Sequence, residues 1–456
     1  MSEIKLTKYA QGSVRELFTI AWPMMLSSAA GCLMVVIDRI ILGRYSAEAF
    51  NACFGVIQWY WAFLSTALEF ILIAEVFVGQ YNGAQRYKEI GSVIWQMIWF
   101  CLALLLIYIP LARFVIPYLV ADNIAALGVP YLRIIVVFIP IHCIGCGALT
   151  AFFVGRGETK IISIVAVISN ILNAILDYVF IFGLTVKGVQ IIPEGGVIGA
   201  AIATVVAQIL PIFLLFALFL QKKNRERFET LRMAFKPDLL KSCLRVGSPA
   251  TFARFLNSFV WAAMTQVVVK YVTPIDFQGY GIVHSIYMLF FFAIEGGGVG
   301  TRTICSNAMG AQAFSVVRKN IHAWLKLGCI FIGFAAVCML GFPEWLIGIF
   351  LKEGKGEVVK CVASQMLTWA WAVFVFDYLV YHLMNVLLAT GDTKFVMVVT
   401  TLSFALLAVA PVYVGIVYFH CASIIFWKFM LLDCVVRMFF YIHRYRSGRW
   451  MRKKLI

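Results

Sequence analysis

The chain is short of charge, and of acid most of all. Only 13% of its 456 residues are charged, with 22 Asp and Glu against 38 Lys and Arg, and it has 6 His. Soluble domains average about 25% charged and roughly 45–50% apolar residues. Here 62% of residues are hydrophobic and 39 are Phe, so there is too little polar surface to cover a water-soluble core, and lipid must take up the excess. Several chemical signatures are also missing. No phosphate-binding loop ending in Lys-Ser/Thr occurs, which argues against an ATP-driven pump. No HExxH or other catalytic cluster occurs, which argues against a membrane-embedded enzyme. Cys143 and Cys146 form a lone CxxC inside an apolar segment, and without a second pair they read as small buried hydrophobes rather than metal ligands. His284 and His322 stand apart from Cys and acidic neighbours, and His142 beside Cys143 reads as a packing residue. No cofactor is expected. No basic patch is interleaved with aromatics in a soluble domain, which argues against nucleic-acid binding. The polar start, with Lys5, Lys8 and Arg15, runs into a long apolar segment without a small-residue cleavage site, so no secretory signal peptide is expected.

What is present is a series of long apolar runs. A membrane helix needs about 20 such residues. They fall at 16–42, 52–80, 92–114, 125–153, 161–184, 197–220, 248–272, 279–306, 321–350, 362–389, 395–418 and 423–443. Backbone groups cannot stay unpaired in hydrocarbon, so these runs predict helices, and the alternation of barrel strands is absent. The predicted fold is an all-α polytopic membrane protein with twelve transmembrane helices in two pseudo-symmetric six-helix lobes. The expected segments are a cytoplasmic start (1–15), an N-lobe (16–220), a basic linker (221–247), a C-lobe (248–443) and a basic tail (444–456). An even number of spans puts both termini on one side. That side would carry Arg86 and Lys88, Arg156 and Lys160, Arg318 and Lys319, the basic linker, and Arg444 to Lys454 in the tail. Basic loops face the cytoplasm, so both termini are predicted cytoplasmic, in a protein integral to the cell (inner) membrane.

The two halves echo each other. Pro23 is matched by Pro249, Glu69 by Glu295, Gly83-Ala84-Gln85 by Gly310-Ala311-Gln312, and Gly157-Glu158-Thr159-Lys160 by Gly391-Asp392-Thr393-Lys394. Four matches in order, at an almost constant offset, indicate duplication. Six spans per half give both halves the same orientation. Transporters are commonly built this way, with the substrate path between the repeats. The glycines at 296, 297, 298 and 300 are read as permitting close helix packing or a break in the helix.

Together, Pro23, Asp38 and Gly43, then Gly83-Ala84-Gln85, Asn173 with Asp177, and Gly199-Ala200-Ala201-Ile202-Ala203-Thr204 resemble the multidrug and toxic compound extrusion (MATE) family of the MOP flippase superfamily. The resemblance runs from about residue 16 to 440. It implies a cation-coupled antiporter that exports organic cations or drugs by alternating access. The alternative is a flippase for lipids or lipid-linked oligosaccharides, as in relatives of the same superfamily; Arg254 and Arg302 hint at the cationic cavity it would need. Expected partners are a small organic cation and membrane lipids, and a monomer is expected.

Intramembrane charges narrow the site. A carboxylate at the bilayer centre costs several kcal/mol. Asp38 lies in the first span. Asn173 and Asp177 are four residues apart and share one helix face, and Thr204 sits in the next span. Two nearby carboxylates in low dielectric do not both ionise easily, so such a pair can load and release a proton. The same oxygens suit Na⁺, and the chemistry does not separate the two ions. The resemblance implies that Asp38, Asn173, Asp177 and Thr204 form the cation-coupling site, with Pro23 supplying the weak point at which the first helix bends. In the second half, Asp377 resembles a carboxylate of a second cation site in some branches of the family. Those branches carry a Glu where this chain has Asn257, which puts a full second site in doubt. Arg254, one turn earlier, is a candidate to neutralise Asp377. Asp433 and Arg437, four apart in the last span, read as an intrahelical pair. Glu69 and Glu295 read equally as packing or gating residues and as residues with a chemical role. Trp59, Tyr60, Trp61, Trp369 and Trp371 are candidates either for a cavity wall or for the lipid interface.

Overall fold

A run of apolar residues in lipid must close its own backbone hydrogen bonds, and helix accounts for nearly all of this chain. The computed structural model describes residues 5–120, 122–186, 189–350 and 357–452. Twelve long helical segments follow in order. The first six are α1 (Val14–Tyr45), α2 (Ala47–Gly83), α3 (Tyr87–Leu119), α4 (Ile124–Val154), α5 (Thr159–Phe182) and α6 (Gly196–Phe219). The second six are α7 (Pro237–Tyr271), α8 (Pro274–Gly310), α9 (Phe314–Gly341), α10 (Glu357–Ala389), α11 (Thr393–Val417) and α12 (Ile424–Arg446). Nine of these, α2–α6 and α8–α11, are long and apolar enough among the described residues to cross a membrane. The other three are also long, at 32, 35 and 23 residues. The all-α polytopic architecture expected from the sequence is therefore the one observed.

Two local features differ from expectation. The 221–247 linker is largely helical, with a short helix at Lys222–Phe228 and α7 already under way from Pro237. Pro237 and Asp238 explain the early start, because proline suits the first helical position and an acid there complements the helix dipole. Between α5 and α6 the chain forms a small antiparallel hairpin, β1 (Leu184–Val186) with β2 (Val189–Ile192).

The repeat is written into the backbone as well as the sequence. Gln85 and Gln312, closing the two Gly-Ala-Gln matches, both take a left-handed conformation, with φ of 60° and 57°. Gly157 and Gly391 do the same at 81° and 82°. Ser46 caps the start of α2 through the amide of Ala49, and Thr273 caps α8 through that of Asp276. A π-helical turn interrupts α3 at Leu111–Val115 and α9 at Val337–Gly341.

The chain divides into two compact units, and the division does not fall in the linker. One unit holds Leu26–Phe255; the other holds the residues up to Met25 together with those from Leu256. Helices α1 and α7 therefore each pass from one unit to the other, a short way after Pro23 and Pro249 respectively. Both helices run on through their proline. The glycine run on α8 explains where the first part of α1 belongs. A Cβ on Gly296 would lie 2.4 Å from the Met25 amide nitrogen, and one on Gly300 would lie 2.9 Å from the Ala21 Cβ. Gly297 and Gly298 press in the same way on Trp324 and Asn385. Helix α8 continues unbroken through them, so these glycines serve close packing.

Candidate functional site

In the first unit the site is built on α5. Ser169, Asn173, Asp177 and Ile181 recur every four residues, and all are buried. Small residues on α6 let α5 come close. A Cβ on Gly199 would sit 2.1 Å from the Phe180 carbonyl oxygen, and Ser169 donates a 2.9 Å hydrogen bond to the carbonyl of Ala207. Asn173 and Asp177 are each 1% exposed.

Asp38, half-buried on α1, lies within electrostatic reach of Asp177. Among the described residues neither oxygen of Asp177 and neither polar atom of the Asn173 amide has a hydrogen-bond partner. Buried polar atoms are almost always paired, so this cluster is unusual. Thr204 is only partly in play: its hydroxyl donates to the Ala200 carbonyl of its own helix at 3.0 Å. The structure adds residues that the sequence did not single out. Tyr131 on α4 lies within electrostatic reach of both Asp38 and Asp177, and Cys53 on α2 lies near Asp38. The buried amide nitrogen of Asn170, one turn before Asn173, also lacks a partner. Of the aromatic candidates, Tyr60 is buried beside this group and accepts a 3.4 Å bond from Gln208 Nε2. Trp61 and Trp369 are 43% and 36% exposed.

The polar group of the second half is assembled differently from the expected trio. Asp377 on α10 accepts from the Tyr287 hydroxyl of α8 and, at 3.3 Å, from the Cys434 thiol of α12. Arg437, not Arg254, is its cation. Arg437 Nη2 lies 3.6 Å from Asp377 and 2.8 Å from Asp433. The i, i+4 pair read from the sequence thus exists and also reaches Asp377, because α10 and α12 pack together. Arg254 belongs to the other compact unit, where its guanidinium lies 3.4 Å from Glu69 Oε2. Asn257 is half-buried and makes no hydrogen bond to Asp377 among the described residues. Among the described residues no group of three or more His, Cys, Asp or Glu is placed to hold a metal ion.

The family model described as MatE matches residues 23–179 and again 249–414. The chain belongs to the MATE family. The two matched blocks start 226 residues apart, the same offset as Pro23 and Pro249. A probable multidrug resistance protein NorM of Thermotoga maritima is 25% identical over 97% of this chain and 94% of its own length. Two solved structures share the fold. A MATE transporter crystallised with MaD3S superposes with a TM-score of 0.85 at 17% identity, over 99% of this chain and all of the other. A MOP-superfamily transporter from Pyrococcus furiosus gives 0.83 at 17% identity with the same coverage. The chain is thus a multi-pass integral membrane protein of the MATE family, a family of transporters.

Proposed function

We propose that this MATE protein is a proton- or sodium-coupled antiporter that exports organic cations or drugs across the cytoplasmic membrane. The observation that carries the proposal is the buried Asp177 carboxyl, with the half-buried Asp38 in electrostatic reach and an Asn173 amide that has no hydrogen-bond partner among the described residues. Two carboxyls in electrostatic reach of each other in a low-dielectric interior favour a shared proton or a bound cation. Their oxygens, with Asn173 Oδ1, equally suit Na⁺, a hard cation that prefers oxygen. Loading this group favours one state of the transporter and emptying it the other. Substrate exchange follows when the substrate has different affinity for the two states. Pro23 removes one backbone hydrogen bond from α1, close to the point where the helix leaves one compact unit for the other. Bending there links the charge state of Asp38 to the rest of the molecule. Asn173 offers an amide oxygen on the same helix face as Asp177, and the two six-helix lobes alternate access.

The basic residues at Arg86, Arg156, Arg318 and the tail support cytoplasmic termini. A multidrug substrate is supported by the relatives, which carry the name multidrug resistance protein. A flippase for anionic lipid cargo is less well supported, since Arg254, one of its two candidate cations, is already matched by Glu69.

The test is accumulation of a fluorescent organic cation in cells expressing wild type or Asp177→Asn, with the proton and sodium gradients collapsed in turn. Wild type is expected to lower accumulation in a manner that needs one gradient, and the variant to fail at normal expression. Export by Asp177→Asn equal to that of wild type contradicts the proposal.

A further inference from the structure

At the basic end of the second-half unit, a cavity of about 340 Å³ opens between the start of α9 and the end of α12. Arg318 and His322 of α9 line it, with Tyr445 and Arg446 of α12 and Trp450 of the following turn. No Asp or Glu is among the lining residues. The nearby carboxylate of Asp392 is spoken for: Arg444 holds it with two bonds, at 2.6 and 3.1 Å. Neither Arg318 nor Arg446 takes part in an ion pair among the described residues. One wall is rigid. Trp450 is buried, stacks on Tyr445 at 5.4 Å and 10°, and donates to the Tyr445 carbonyl at 2.9 Å.

We propose that this pocket binds the phosphate headgroup of an anionic membrane lipid. Two uncompensated guanidiniums beside an imidazole match a phosphate, which accepts paired N–H bonds from arginine. The setting favours lipid over a soluble phosphate. Both helices end here, passing from apolar spans into His443, Arg444 and Arg446 on α12 and into Arg318 and Lys319 on α9. Basic pockets between helix ends on the cytoplasmic side take such headgroups, and Trp and Tyr favour the same depth. The pocket shares no lining residue with the Asp38, Asp177 and Asp377 groups, so it concerns anchoring rather than coupling and stands whether or not the antiporter proposal does.

The test uses the full-length protein in mild detergent, titrated with phosphatidylglycerol and followed by native mass spectrometry. The double variant Arg318→Gln/Arg446→Gln is expected to bind the first lipid about thirtyfold more weakly, from the loss of two basic side chains near a phosphate. Lys319→Gln/Arg449→Gln removes the same charge outside the pocket and is expected to stay near wild type. Phosphatidylcholine is expected to bind poorly to all three, and excess inorganic phosphate to leave the bound lipid in place. Equal weakening by both double variants, or equal retention of phosphatidylcholine and phosphatidylglycerol by wild type, overturns the proposal. Displacement of the lipid by inorganic phosphate overturns it in favour of a soluble phosphate. Unchanged elution and melting of the variants separate lost binding from lost fold.

Discussion

The two halves share a backbone and differ in how they treat buried acid. Left-handed turns at Gln85 and Gln312, matching π-turns in α3 and α9, and equivalent caps at Ser46 and Thr273 show the same chain path used twice. In the first half, Asp38 lies within electrostatic reach of Asp177, and among the described residues neither the Asp177 oxygens nor the Asn173 amide has a hydrogen-bond partner. In the second half, Asp377 and Asp433 share Arg437, and Asp377 also takes hydrogen bonds from Tyr287 and Cys434. On the proposed function, the duplicated scaffold carries one site that recruits its positive charge and one whose charge is built in. On that proposal the first site gains and loses the cation, whereas loading the second would dismantle an ion pair.

The sharpest way to break this contrast is to remove the built-in charge. Arg437→Met leaves two buried carboxylates uncompensated and is expected to cost about 3–5 kcal/mol, read as a large fall in melting temperature in detergent. Adding Asp433→Leu and Asp377→Asn to it is expected to restore most of that loss, because a buried ion cluster replaced as a whole is often close to neutral. If Arg437→Met alone melts like wild type, the second half is not held by its ion triad.

A smaller effect is expected where the first half depends on backbone approach. Gly199→Val places side-chain atoms against the Phe180 carbonyl and is expected to cost roughly 1–3 kcal/mol. It also pushes away the helix that carries Asn173 and Asp177, so gradient-driven export should fall more than thermal stability does. Parallel losses of the two would argue that the site tolerates movement of α5. The smallest effect tests what the halves share. Gly157→Ala and Gly391→Ala each force a side chain into a left-handed turn, and each is expected to cost roughly 1 kcal/mol. Unequal costs would show that the repeated loops are not energetically equivalent.

Much of this was legible in the sequence. Long apolar runs leave no alternative to helix in lipid, and the duplication could be read from four short matches. The i, i+4 spacings of Asn173 with Asp177 and of Asp433 with Arg437 could be read as shared faces. What was not legible depends on contacts between helices distant in sequence. Arg254 was the nearest basic residue to Asn257 along the chain, but it is turned to Glu69 on α2. Asp377 is instead served by Arg437, sixty positions later, through the packing of α10 on α12. Tyr131 had no spacing signal because one tyrosine among apolar neighbours looks like ordinary core, whereas Asn170, three residues before Asn173, carried a legible one-turn spacing. The exchange of α1 and α7 between compact units was likewise hidden. The glycine run on α8 was its only trace, and spacing alone could not say which helix those glycines receive.

The central claim, that the first half carries the coupling ion and the second does not, is tested most directly by counting ions displaced on substrate binding. Purified protein would be titrated with ethidium in two buffers of different ionisation enthalpy, with and without sodium, as wild type, Asp38→Asn and Asp377→Asn. The last of these still leaves Arg437 matched one-to-one with Asp433. The account predicts that wild type and Asp377→Asn release a proton or a sodium ion when the cation binds, and that Asp38→Asn releases neither. Normal release by Asp38→Asn together with its loss in Asp377→Asn would contradict the account and move the coupling site to the other half of the molecule.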